Sequence, residues 1–164
     1  MTLYNVFKLL HILAAIVFVG GLIARQLVRA YARQTSDVVW FANLSKAAAH
    51  IENWMVKPWS FVLLFLGVIQ ARLGGIPIFG VLSGGDQNWL LASVLVYFAT
   101  FALVPLVFIP RGRRFRPILA SALSAGTVTP ELRAAMRDPV VVFAHRFEGV
   151  STLVMVALMV LKPF

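Results

Sequence analysis

Cysteine is absent from the chain. That excludes disulfides, thiolate metal sites and thiol catalysis. Charge is scarce too: charged residues make up 13% of the chain, against roughly a quarter in a soluble domain. Acids are scarcest, six against fifteen bases, for a net charge of +9. No serine stands in a nucleophile motif and no metalloprotease spacing occurs, so hydrolytic chemistry has no support. No internal repeat organises the chain, and the sequence assigns no catalytic residue.

Apolar residues fill the place of the missing charge. They are 60% of the total, and mean hydropathy is +0.87. They come in blocks of about twenty, the length that crosses a hydrocarbon core of roughly 30 Å. The expected fold is an all-α integral membrane protein, a four-helix up-down bundle forming a single domain over 1–164. The expected spans are 3–24, 50–71, 89–109 and 139–161. The first block has no basic leader and no small-residue cleavage site before Arg25 and Arg29, so it reads as a retained helix.

Several local expectations follow. Arg25, Arg29 and Arg33 recur every fourth residue and form one stripe, read as a helix projecting past the membrane toward headgroups. Ser36-Asp37 is a cap for the next segment. Pro58 to Arg72 is too short to cross alone, so the second span starts before Pro58 and kinks there. Pro105 kinks the end of the third span. Arg111-Gly112-Arg113-Arg114-Phe115-Arg116-Pro117 then stops that helix, and 118–138 forms a polar connection with a short helix starting at Thr129-Pro130.

The bases lie mainly in 25–57 and 110–138, with only Arg72 in the middle loop. The positive-inside rule puts those two regions in the cytoplasm and both termini outside a bacterial cytoplasmic membrane. A net charge of +9 in a soluble protein would suggest nucleic acid. Placed between apolar blocks, it indicates anionic lipid headgroups on the cytoplasmic side, and no nucleic-acid partner is expected. A membrane-protein partner or a homo-oligomer stays open.

Ionisable groups at membrane depth need partners inside the protein. With mid-planes taken near Leu13, Phe61 and Ser151, Lys57 and Glu148 fall within roughly 2 Å in depth. They are the expected interhelical ion pair. His145 and Glu148 share one face at i and i+3. His50 and Glu52 lie near the inner boundary. His11 is close to the mid-plane, about two turns above His145. Gly20-Gly21 allows a helix or a flat ring to approach closely.

These groups support three readings. The histidines are structural. Alternatively they hold a cofactor: b-type haem on His11 and His145, or a copper or other metal among His11, His50 and His145. Or Lys57, Glu148 and His145 form a short proton relay.

Lys8-Leu9-Leu10-His11 leading to Gly20-Gly21, then Asn53-Trp54-Met55-Val56-Lys57-Pro58, Asn88-Trp89-Leu90-Leu91-Ala92-Ser93 and Leu158-Met159-Val160-Leu161-Lys162-Pro163, resembles a family of predicted four-span bacterial integral membrane proteins of unknown function. More loosely, the His-then-Gly-Gly first helix is similar to copper-resistance D membrane domains and HemJ-type protoporphyrinogen oxidases. The second likeness implies haem at His11, while Pro58 after Lys57 departs from the HemJ pattern. The expectation is thus a membrane protein binding b-type haem or taking part in membrane redox chemistry. The alternative is a non-catalytic accessory subunit of a larger membrane complex.

Overall fold

In the computed structural model, residues 2–83 and 88–163 are described. Among them the regular structure is helical. Helix α1 runs Leu3–Ala32, capped by Thr2. A second long helix is made of α2 (Val38–Ile51), a π-helical turn (Glu52–Val56) and α3 (Lys57–Leu73). A 3-10 turn at Gly80–Ser83 follows. A third long helix joins α4 (Trp89–Leu103), a π-turn (Val104–Phe108) and α5 (Ile109–Ala125). Short α6 (Pro130–Met136) leads into α7 (Pro139–Leu161). Four stretches are long and apolar enough to cross a membrane: Leu3–Ala32, Val38–Leu73, Trp89–Ala125 and Pro130–Leu161. Leu153, Val160, Phe65 and Leu106 on their outer faces are largely exposed, as a lipid-facing surface requires.

Pro58 and Pro105 each meet a widened turn rather than a broken helix. Pro58 has no N–H to give, and its ring crowds the carbonyl four residues back. The helix absorbs this by a longer bond one residue earlier, from the Lys57 N–H to the Glu52 carbonyl. At Pro105 the widened bond comes after the proline instead, from the Ile109 N–H to the Val104 carbonyl, while the Val104 N–H makes a tighter bond to the Phe101 carbonyl.

The basic segment at Arg111–Pro117 does not stop the third helix, contrary to the sequence expectation. The helix continues through Pro117 to Ala125 and ends at Gly126, whose φ of 68° suits a residue without a Cβ. Pro117 is tolerated because it stands on an exposed stretch, where water can satisfy the freed Arg113 carbonyl. This extension builds a small core beyond the apolar spans. Leu132 and Ala122 are fully buried there with Ala32, Val38 and Phe41, and Phe115 packs on Phe41 at 6.2 Å. The expected caps at Asp37 and Thr129 both form. At the opposite end Ala71, Trp89 and Leu90 pack with Leu158 and Met159, and the Lys162 ammonium lies 5.3 Å from the Trp89 ring.

Between these ends the bundle is two close pairs. Helix α1 lies along α2 and α3, and α4 lies along α7. Gly21 sets the first pair's spacing: a Cβ there would stand 2.8 Å from the Met55 Cβ, whereas one at Gly20 would meet nothing. Gly21→Ala is therefore expected to lower stability by about 1–3 kcal/mol through overpacking. Gly20→Ala should be neutral or stabilising by up to ~1 kcal/mol through helix propensity. Thermal unfolding of both variants in detergent checks this; equal behaviour would disprove the close approach.

Candidate functional site

Arg25 has 1% of its surface exposed, although it opens the arginine stripe expected to face headgroups. Two carboxylates draw it inward. One terminal nitrogen donates to Glu52 of the first pair and the other to Glu148 of α7. The π-turn is where Glu52 sits. One turn further along α1, Arg29 contacts both ring nitrogens of His145, Nδ1 at 3.3 Å. The same Nδ1 lies 3.3 Å from Glu148. The arrangement that satisfies both neighbours has Nδ1–H donating to Glu148 and Nε2 accepting from Arg29. Phe108 stacks on the imidazole at 4.6 Å. Only the third arginine, Arg33, is exposed as the stripe expectation had it.

Two guanidiniums, two carboxylates and a neutral imidazole sum to zero charge. In an interior of low dielectric such a set holds elements together only while complete. Removing one member strands its partner's charge. The Arg25 Nε has no partner among the described residues.

The expected Lys57–Glu148 pair does not form, because Glu148 is taken by Arg25. Lys57 instead donates to Asn53 Oδ1 at 2.8 Å, one turn back along its own helix. The cause is register. His11 packs against Gly67, and Gly21 against Met55. From mid-planes at Leu13 and Phe61, the first contact shifts α1 by about four residues (~6 Å) and the second by about two (~3 Å). Arg25 thereby moves into the span, and His11 moves away from His145.

The histidines are separate. His50 is exposed, its ring 5.9 Å from Trp54. His11 lies between α1 and α3, near the Leu63 backbone, with Nδ1 buried and unpartnered among the described residues. No group of three or more His, Cys, Asp or Glu positioned for a metal occurs among the described residues. His145 and Glu148 do meet, as their spacing suggested.

Beside the ion cluster, between the two pairs, lies a cavity of about 190 Å³. Glu52, Lys57 and Glu148 line it with Ser60, Tyr97, Thr100 and Thr152, and with Phe18, Phe61, Phe101 and Met155. The pairs touch only lightly here: Tyr97 Oη is 3.5 Å from the Ser60 carbonyl, and Phe61 meets Phe101 edge-on at 5.7 Å. Lys57, Phe61 and Phe101 are exposed, so the cavity opens sideways between α3 and α4.

Four apolar helices around a buried ion cluster define a polytopic helical membrane protein. The chain belongs to the family described as predicted integral membrane protein (DUF2269), whose model matches residues 5–163. No curated protein and no solved structure matches it. The family match supports the whole-chain resemblance and adds nothing to the looser copper-resistance D and HemJ likenesses.

The cluster predicts a coupling pattern. Arg25→Gln and Glu148→Gln are each expected to cost about 3–5 kcal/mol, as when one member of a buried pair is removed. The double variant should cost clearly less than the sum. Lys57→Met combined with Glu148→Gln should be additive. Unfolding midpoints across both double-mutant cycles decide; strong Lys57–Glu148 coupling would contradict the assigned pairs.

Proposed function

We propose that the protein holds a lipophilic molecule in the cavity between its helix pairs, within a bacterial cytoplasmic membrane. The observation that carries this reading is the cavity itself: polar at the ion cluster, aromatic elsewhere, and open between α3 and α4 at a level the bilayer would occupy. Ligand sites commonly combine an apolar wall with a few polar groups, but have volumes of ~300–1,000 Å³. A smaller cavity suits a head group and the start of a chain, with the remainder left in lipid. A bulky residue at Thr100, on the α4 wall, should close it. Thr100→Trp is expected to abolish dodecanol binding by the detergent-solubilised protein, read by native mass spectrometry. Unchanged binding would overturn the assignment of the cavity.

Orientation is part of the proposal. Arg33, Arg113, Arg114, Arg116, Arg133 and Arg137 are exposed around the end that carries the extra core. This end faces the cytoplasm and its anionic headgroups, with both termini outside. In a chain without cysteine, Thr2→Cys should react with an impermeant maleimide on intact spheroplasts, and Ser124→Cys only after lysis. The reverse pattern would invert the topology.

Haem on both His11 and His145 does not fit. Arg29 touches His145, and His11 is eighteen residues away from Arg29 on one helix, roughly 27 Å at helical rise. Both imidazoles cannot reach one iron. Haem on His11 alone is favoured by its unpartnered Nδ1, with the ring itself seated against Gly67. A Soret band in the purified protein, lost in His11→Ala, is the expected sign of that second reading; a colourless folded protein excludes it. An accessory role in a larger complex is the reading that follows if neither ligand binds.

A further inference from the structure

The three charged groups lining the cavity, Glu52, Lys57 and Glu148, do not stand alike. Glu52 and Glu148 both bind Arg25, and Arg29 completes a set of zero net charge with them. Lys57 is outside that set. Among the described residues its ammonium donates to the neutral amide of Asn53 and forms no ion pair.

Donor capacity separates Lys57 from the hydroxyls in the same way. Ser60 donates to the Lys57 carbonyl at 2.7 Å, Thr100 to Val96 at 2.8 Å and Thr152 to Glu148 at 2.9 Å. Tyr97 donates toward the Ser60 carbonyl at 3.5 Å. An ammonium carries three N–H donors, and Lys57 uses one. The cavity wall therefore presents one uncompensated positive charge with donors to spare, at the sideways opening. A cation at membrane depth is costly unless it is paired or reaches the interface.

We infer that the cavity receives the acidic head of a single-chain amphiphile, a carboxylate or a phosphate, bound by Lys57. The chain runs over the exposed edges of the Phe61 and Phe101 rings into the bilayer. Because Lys57 turns back toward Asn53, the head lies at the end nearer the arginine-rich core. The two carboxylates do not repel it strongly, since their charge is already met by Arg25 and Arg29. This inference rests on the proposal that the cavity holds a lipophilic molecule, and it names that molecule's class.

The test titrates the full chain in detergent with dodecyl phosphate, laurate, dodecanol and dodecyltrimethylammonium separately, and with inorganic phosphate, read by native mass spectrometry. The expected result is that dodecyl phosphate and laurate bind about tenfold tighter than dodecanol, equivalent to ~1.4 kcal/mol. Dodecyltrimethylammonium should bind most weakly. Lys57→Met should reduce the two acidic probes to the level of dodecanol and leave dodecanol unchanged, while Lys57→Arg keeps the preference. Equal binding of all four heads, a preference for the cation, or an acidic preference that survives Lys57→Met would overturn the inference while leaving the cavity reading in place. Inorganic phosphate binding as tightly as dodecyl phosphate would overturn it by removing the role of the chain. Failure of every amphiphile to bind the unaltered protein would overturn the cavity reading itself.

Discussion

A guanidinium shut away from water inside a helical bundle has to be neutralised where it stands. Arginine cannot shed its proton as a buried lysine or histidine can. Arg25 meets that demand with two carboxylates on different helices, Glu52 and Glu148. Much of the middle of the molecule follows from this arrangement. Gly21, one turn before Arg25, lets α1 close on the Met55 backbone. The π-turn ahead of Pro58 carries Glu52. His145 and Arg29 complete the charge balance on the other side, and Phe108 covers the imidazole.

The same constraint accounts for the cavity. Between the two apolar end cores the helices pack tightly within each pair, and at the level of the cluster they meet across the pairs through long polar side chains. An arginine-to-glutamate bridge holds two helices further apart than interlocking leucines do. Space is left beside the bridge, bounded by aromatic rings that touch only at their edges. A site for a small head group is thus a by-product of fastening the bundle by charge. Lys57, which stands outside the neutral set, marks the side on which that space opens.

Most of the architecture was legible in the residues. The apolar blocks, the caps at Asp37 and Thr129 and the disturbance at both prolines all appear where their chemistry called for them. The His145–Glu148 contact was legible as well, because i and i+3 on one helix are neighbours whatever else happens. The role of Arg25 was not. An arginine after an apolar run reads as the edge of the membrane, and only carboxylates brought from residues 52 and 148 show otherwise. A signal was nevertheless present. Six acids are too few for fifteen bases, and two of the six, Glu52 and Glu148, lie in or beside apolar blocks where each requires a cation. The Lys57 pairing erred by placing the mid-plane of α1 at Leu13. A shift of about two to four residues in α1 replaced lysine with arginine as the nearest cation.

The division into pairs also bears on how the protein assembles. Each pair is contiguous in sequence, the first within residues 3–73 and the second within 89–161. At the level of the cluster, the first contributes Arg25, Arg29 and Glu52, and the second contributes Glu148 and a neutral His145. Held apart, the two hairpins carry opposite unit charges there. Docking of two such hairpins in a bilayer is a neutralisation in a medium where opposite charges attract far more strongly than in water. Lipid tails give apolar helix faces little reason to prefer one another. For this chain the preference is supplied by charge, so the cluster that fastens the finished bundle also selects which hairpin faces which.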